Sequence, residues 1–223
     1  MRREPEPAAS APLTIPGVVS LAASSRRTLK HGDTFAMLDD LGDIPELAHS
    51  PGGLFHFDTR HLSRLVFLLE GHRPLVLSST VQPDNLTLDV DLTNPDLFRG
   101  ERLVLAKDTF HVARAKFLWQ GSCFERFTVA SYAEAPRRLR LAIEFAADFA
   151  DLFEIRGHRR SRRGAVEQER RGGGAVAFVY RSLDGVARET QLHFDPPPAA
   201  LAPGRAEFTL ELAPRERRTI GVT

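Results

Sequence analysis

The segment Leu86–Asn94, LTLDVDLTN, alternates apolar and polar residues without interruption. Successive side chains of an extended chain point to opposite faces, so its leucines and valine would share one face and its threonines and aspartates the other. An apolar period of two residues is typical of a β-strand and does not fit a helix. The segment therefore predicts a strand with one face on a core.

The same period recurs along the chain. Leu139–Phe145 and Phe208–Leu212 alternate in the same way, and five more segments have extended character: Leu62–Leu69, Thr109–Trp119, Phe124–Tyr132, Ala175–Arg181 and Val186–Phe194. Asp184-Gly185 between the last two segments predicts a β-hairpin. Strands at this spacing, with few helical windows, predict an all-β fold, an antiparallel β-sandwich of two sheets.

Composition restricts the class of protein. The 223 residues are 42% hydrophobic and 26% charged, with a net charge of +1. A chain of this length buries roughly 70% of the surface that its unfolded form exposes. The small net charge gives no bulk attraction to nucleic acid or membrane, and no apolar run approaches the roughly 18 residues of a membrane span. The single cysteine, Cys123, cannot form an internal disulfide, which favours a reducing compartment and predicts a cytoplasmic protein.

The first residues differ from the rest in composition. Residues 1–17 contain prolines at positions 5, 7, 12 and 16 and lack the continuous apolar core of a secretory signal. We predict a disordered leader over residues 1–17, followed by one β-sandwich domain over residues 18–223.

A dense polar cluster lies in the segment Gly52–Glu70. On one continuous strand, His56, Asp58 and Arg60 would project from the same face, opposite the neighbouring phenylalanines. His56, Asp58 and His61 include metal-ligand types, but their spacing matches no known metal site. We therefore predict no metal, and interpret Asp58 and Arg60 as a structural ion pair at a sheet edge.

Trp119 and a group of three acids are two further candidate sites. Trp119, the only tryptophan, could stack on a sugar ring or a partner, or simply be buried. Asp148, Asp151 and Glu154 have the spacing of one helical turn, and paired carboxylates catalyse glycoside hydrolysis. We favour a capping role for these acids, with Arg156 as their counter-ion. No cofactor or catalytic motif is present, so we predict no catalytic residues and no cofactor.

Residues 156–171 contain seven arginines against Glu167 and Glu169, and three glycines follow them. An arginine-rich loop can bind an acidic partner or nucleic acid, which makes a stand-alone interaction module the alternative function. Stacking aromatic residues are absent from this loop, so we favour a solvated hairpin tip and do not expect nucleic acid as a partner.

Five blocks of the sequence resemble the N-terminal domain of bacterial glycogen-debranching-type enzymes, the amylo-α-1,6-glucosidases. They are LKHGDTFAMLDDLGDI (Leu29–Ile44), GLFHFDTRHLSRLVFLLEG (Gly53–Gly71), PLVLSSTVQPDNLTLDVDLTNPDL (Pro74–Leu97), FERFTVASY (Phe124–Tyr132) and FAADFADLFEIRG (Phe145–Gly157). The blocks occur in the right order and span nearly the whole chain after the leader.

This resemblance implies a β-supersandwich like those that precede the catalytic domain of glucoamylase-like hydrolases. It also implies that an α/α six-hairpin barrel carries the catalytic carboxylates and is the partner of this domain. The expected function is thus a non-catalytic accessory domain that braces the barrel and lends loops to an α-glucan cleft. The residues we expect at that cleft are Asp58, Arg60, His61 and Trp119.

Overall fold

The computed structural model describes residues 13–15, 26–46, 51–158 and 160–223. Of the predicted leader, only residues 13–15 are described, and Thr14 exchanges two backbone hydrogen bonds with Phe98. The rest of the leader and the domain boundary at residue 18 lie outside the described residues, as does Arg159 of the arginine-rich segment.

The described residues form 18 strands and a single short helix. The first half contains β1 (Arg27–His31), β2 (Thr34–Leu38), β3 (Gly53–His56), β4 (Thr59–Leu62), β5 (Arg64–Leu69), β6 (Leu75–Val81), β7 (Thr87–Thr93), β8 (Leu97–Arg99) and β9 (Arg102–Leu105). The second half contains β10 (Phe110–Trp119), β11 (Ser122–Ser131), β12 (Arg137–Ala146), α1 (Leu152–Ile155), β13 (Ala165–Arg170), β14 (Ala175–Arg181), β15 (Ala187–Asp195), β16 (Ala200–Ala202), β17 (Arg205–Leu212) and β18 (Arg217–Val222).

A central sheet of eight strands organises the domain, in the order β13-β14-β15-β18-β11-β10-β7-β6. Two four-stranded sheets, β1-β2-β3-β4 and β16-β17-β12-β5, pack against its inner face, and β8 and β9 form a separate ribbon. The strand pairs are antiparallel. The predicted all-β antiparallel sandwich is confirmed, with its second layer divided between two sheets.

The alternation in the sequence decides which side chains enter the core. In β7 the side chains of Leu88, Val90 and Leu92 are buried, as the opening segment predicts. The hairpin predicted at Asp184-Gly185 is also confirmed, because β14 pairs with β15 across this turn. Gly185 has a φ of 78°, a left-handed conformation that glycine adopts at little cost.

Aromatic side chains join the two layers. Phe67 of β5 stacks on Phe127 of β11 with 4.6 Å between ring centroids. Phe145 of β12 contacts Phe178 and Phe194 of the central sheet at centroid distances of 6.0 and 5.7 Å. These contacts form one continuous core, since each ring pair connects a strand of the second layer with a strand of the central sheet.

The two outermost strands of the central sheet differ in character. Every residue of β13 is exposed, and the strand carries Glu167, Glu169 and Arg170. At the opposite end of the sheet, β6 exposes the apolar side chains of Leu75, Val76 and Leu77. Among the described strands, these two have a neighbour in the central sheet on one side only.

Helix α1 is held by its N-terminal cap. The Asp151 carboxylate accepts hydrogen bonds from two backbone N–H groups of the first turn, and Glu154 completes a capping box. The predicted capping role is therefore confirmed for Asp151 and Glu154, whereas it is wrong for Asp148, whose carboxylate pairs with Arg60. The counter-ion assignment is corrected: Arg160 pairs with Asp151, and Arg163 lies 3.0 Å from Glu154, whereas Arg156 occupies the C-terminal cap position.

Candidate functional site

The polar cluster near residue 58 forms a hairpin. Strands β3 and β4 are joined by a two-residue turn, in which Phe57 and Asp58 have φ values of 43° and 61°. The prediction of one continuous strand face carrying His56, Asp58 and Arg60 is therefore wrong, because the chain reverses between them. A left-handed phenylalanine is uncommon, so the local sequence gave little sign of this turn. Phe57 lies at the tip with its side chain 69% exposed.

Arg60 anchors this hairpin to the segment after β12. Its guanidinium forms a two-pronged ion pair with Asp148, in which Nε lies 3.1 Å from Oδ1, and Nη1 donates to the Gly52 carbonyl at 3.2 Å. Within the described residues, the ion pair expected between Asp58 and Arg60 is not formed, because Asp58 lies at the tip of the turn. Asp148 therefore forms its ion pair with Arg60 and takes no part in the capping box of Asp151 and Glu154.

His61 connects β4 to the central sheet. The Thr190 hydroxyl donates to the His61 carbonyl oxygen at 3.1 Å, so the hydroxyl oxygen accepts from His61 Nδ1 at 3.0 Å. Nearby, His56 Nδ1 lies 2.8 Å from the Thr34 hydroxyl. In the part of the chain that the structure describes, no three His, Cys, Asp or Glu side chains are grouped to hold a metal ion.

The environment of His61 disfavours its charged form. Burial, followed by the electrostatic effect of nearby His56, lowers the pKa of His61 from its ordinary value of 6.5 to about 4. His61 is therefore neutral at physiological pH and becomes charged only in acid.

This pKa predicts a loss of stability in acid. Between pH 6.5 and about 4 the unfolded state binds a proton at residue 61 and the folded state does not, so stability falls as the pH is lowered through this window. Because the side chain is only half-buried, we expect a contribution of about 1 to 2 kcal/mol. Urea unfolding midpoints measured at pH 6.5 and at about pH 4 test this contribution. The difference between the two midpoints should be smaller for His61→Gln than for the wild type. An exposed control, His158→Gln, should keep the wild-type pH dependence, and an equal dependence in all three proteins would contradict the prediction.

His61 also lines a cavity between the two layers. The cavity has a volume of about 370 Å³. Polar and apolar side chains from β2, β3, β4, β11, β15 and β18 line it, together with Ile44 and Leu65. Its deep end is formed by buried residues such as Ile44 and Leu192, and its mouth by more exposed ones such as Gly121 and Gln191. The cavity is therefore an open pocket between the layers.

A buried ionic network lies beside this cavity. Arg114 Nη1 donates to Asp43 at 2.6 Å, Arg114 Nε donates to Glu125 at 2.6 Å, and Lys116 Nζ lies 3.1 Å from Glu125. Arg73 pairs with Asp43 at the outer end of the network. Burial by itself lowers the pKa of the Arg114 guanidinium. The neighbouring carboxylates of Glu125 and Asp43 outweigh this effect, so the pKa is raised above its ordinary value and Arg114 stays charged.

The network is not fully satisfied. Among the described residues, Glu125 Oε2 and Arg114 Nη2 have no hydrogen-bond partner, and Lys116 Nζ has only its ion-pair contact. Sequence reasoning missed these residues, although a signal was present. Arg114 and Lys116 fall at the core-facing positions of β10, in register with its buried apolar residues, where a charged side chain needs a partner.

Trp119 lies at the turn between β10 and β11. Its side chain is 44% exposed and packs against His31 at a centroid distance of 4.4 Å. Two residues later, Gly121 reaches the cavity mouth beside His56. The structure thus places the Trp119 turn and the tip of the β3–β4 hairpin at neighbouring positions around this mouth.

Part of the arginine-rich segment lies in a hairpin, but as its first strand and not as the predicted tip. Residues 165–170 are strand β13, and the glycines at 172–174 join it to β14. Arg160 and Arg163 pair with the acids of α1, and Arg171 lies 2.9 Å from Glu189. Several of its positive charges are therefore already neutralised within the domain.

The fold and its cavity define an antiparallel β-sandwich domain in which a pocket opens between the layers. The N-terminal domain of (some) glycogen debranching enzymes matches residues 29–223, and the chain belongs to this family. The resemblance noted in the sequence is thereby confirmed. A search of curated proteins gave no match. Across the described residues, no helix is both long and apolar enough to span a membrane.

Proposed function

We propose that this chain is a non-catalytic accessory domain of an amylo-α-1,6-glucosidase-like enzyme. In this role it braces an α/α six-hairpin catalytic barrel and lends loops to an α-glucan cleft. The observation that carries the proposal is the family match over residues 29–223. The lone cysteine favours a reducing compartment, so we place the domain in the cytoplasm.

The turns around the cavity mouth are the proposed glucan contact. Exposed aromatic rings bind the apolar faces of sugars, and Phe57 and Trp119 present such rings on the two turns. Asp58 lies beside Phe57 and is exposed, so its carboxylate is free to accept hydrogen bonds from sugar hydroxyls. His61 lies deeper, and Arg60 supports the hairpin through Asp148, which gives these two residues a positioning role.

Titration with panose and maltooligosaccharides tests this contact. We expect NMR shifts at the Trp119 turn and the β3–β4 hairpin at millimolar sugar, with weak affinity because the surface is open. Trp119→Ala should remove most of the binding. Tyr132→Ala is the matched control, since this exposed aromatic follows the opposite end of the ten-residue strand β11. Equal binding by the two variants would contradict the assignment, and the absence of any shift would leave only the bracing role.

Hydrolysis separates this proposal from an enzymatic role. The purified chain is expected to release no glucose from a branched dextrin, because the catalytic carboxylates are assigned to the barrel.

The alternative function, binding of an acidic partner or nucleic acid through residues 156–171, predicts association that weakens strongly with salt. The ion pairs of Arg160 and Arg163 reduce the charge available for it.

A further inference from the structure

We propose that three aromatic rings on the outer face of the central sheet, those of Phe117, Trp119 and Phe124, bind successive sugar rings of an extended α-glucan chain. These three residues are called the aromatic strip below. The inference rests on the proposed function, because it takes the glucan as the ligand. It adds that the glucan continues from the Trp119 turn onto the face of the sheet, so that long chains bind better than short ones.

Strand alternation turns these rings away from the core. In β10 the residues on either side of Phe117 are buried, so Phe117 and Trp119 project from the opposite face of the sheet. In β11 Phe124 is the direct register partner of Phe117 and precedes the buried Glu125. The fold thus gathers the three side chains on one face, and none of them belongs to the buried core.

The rings lie close together and have similar orientations. The ring centroids of Phe117 and Trp119 are 6.1 Å apart, with 13° between the ring planes. Phe124 lies 6.4 Å from Phe117, with 32° between the planes. The side chains of Trp119 and Phe124 are 44% and 42% exposed. A row of exposed rings whose faces are nearly parallel suits the stacking of successive sugar rings through their C–H faces.

Polar side chains border the strip along the next row of the sheet. Ala115 of β10 is paired with Asp89 of β7 on one side and with Arg126 of β11 on the other. Asp89 Oδ2 accepts a hydrogen bond from Gln82 Nε2 at 2.8 Å, which orients the carboxylate, and Arg126 is exposed. A carboxylate and a guanidinium on either side of a small residue supply acceptors and donors for sugar hydroxyls.

The size of the strip favours a sugar chain over a protein as its ligand. At these exposures the three rings together offer at most about 300 Å² of apolar surface. A specific protein interface takes about 800 Å² from each partner. The strip also includes Trp119, which belongs to the proposed glucan contact, so one chain can occupy the turn and the sheet face together.

The dependence of binding on chain length tests this inference. Panose, a short glucan, is expected to shift only the amides of the Trp119 turn and the β3–β4 hairpin. Maltoheptaose should also shift the amides of Phe117 and Phe124, and should bind about three- to tenfold more tightly because it gains further stacking contacts. Trp119 is the only tryptophan of the chain, so its fluorescence measures both dissociation constants.

Substitutions of Phe124 separate stacking from general apolar contact. Phe124→Ala and Phe124→Leu should each weaken maltoheptaose binding by about three- to tenfold and leave panose binding unchanged. Phe124→Tyr keeps an aromatic face and should bind maltoheptaose like the wild type. Since residue 124 lies on the surface, these variants are expected to fold. Tyr132→Ala, which alters an exposed ring beyond the other end of β11, is the matched control and should bind both sugars normally.

The possible failures are distinguishable. The inference is overturned if maltoheptaose shifts the Trp119 turn but not the amides of Phe117 and Phe124, or if Phe124→Leu binds it as tightly as the wild type. Either result leaves the glucan contact at the cavity mouth intact. If neither sugar shifts any amide, the proposed glucan contact fails, and this inference fails with it.

Discussion

Replacing Asp43 with alanine is expected to destabilise the domain by about 3 to 5 kcal/mol, the usual cost of removing one partner from a buried ion pair. Asp43 is fully buried, accepts from Arg114 and Arg73, and also accepts from the Phe67 backbone N–H at 3.1 Å. Its loss leaves the buried Arg114 with only one carboxylate. In a domain of this size, the melting temperature should fall by roughly 6 to 20 °C.

Urea unfolding at neutral pH measures this effect. The matched control is Glu211→Ala, which removes a surface carboxylate lying 3.6 Å from Arg138. An exposed pair of this kind contributes about 0 to 1 kcal/mol, so the control should unfold close to the wild type. If Asp43→Ala also loses only about 0 to 1 kcal/mol of unfolding free energy, the buried network does not stabilise the domain as its geometry indicates.

Phe67→Ala is the second substitution with a large expected effect. Phe67 is 1% exposed and stacks on Phe127 across the two layers. Removing its ring opens a cavity at the contact between β5 and β11, which should cost about 3 to 5 kcal/mol. Since Arg114 lies 4.9 Å above the ring of Phe127, the loss is also expected to disturb the neighbouring ionic network.

Phe153→Ala serves as the control for this substitution, because Phe153 of α1 is 67% exposed. It should change the unfolding midpoint little, since an exposed ring loses few contacts. Hydrogen exchange adds a second measurement: Phe67→Ala should reduce amide protection in β5 and β11 together. Loss of protection in β5 alone would show that the two layers are not coupled through this ring pair.

Local pattern predicted much of the fold, because alternation records directly which face of a strand is buried. The segment Ala175–Arg181 matches β14 residue for residue, and the opening segment matches β7 to within one residue at each end. Short strands such as β8 and β16 have only three residues each. They are too short to establish a period, so pattern alone could not find them.

The site was harder to predict, because its contacts join residues that are distant in the sequence. Arg60 pairs with Asp148, 88 positions away, and His61 bonds to Thr190, 129 positions away. The nearest opposite charge along the chain, Asp58, was a reasonable partner for Arg60, yet the reversal at Phe57 places it elsewhere. Strand register is set by the whole sheet, and a single segment does not contain it.

The unequal borders of the central sheet have a consequence for self-assembly. Charges along β13 discourage another polypeptide from adding a strand there, whereas the apolar residues of β6 do not. Strand addition by another polypeptide is therefore expected along β6 and not along β13.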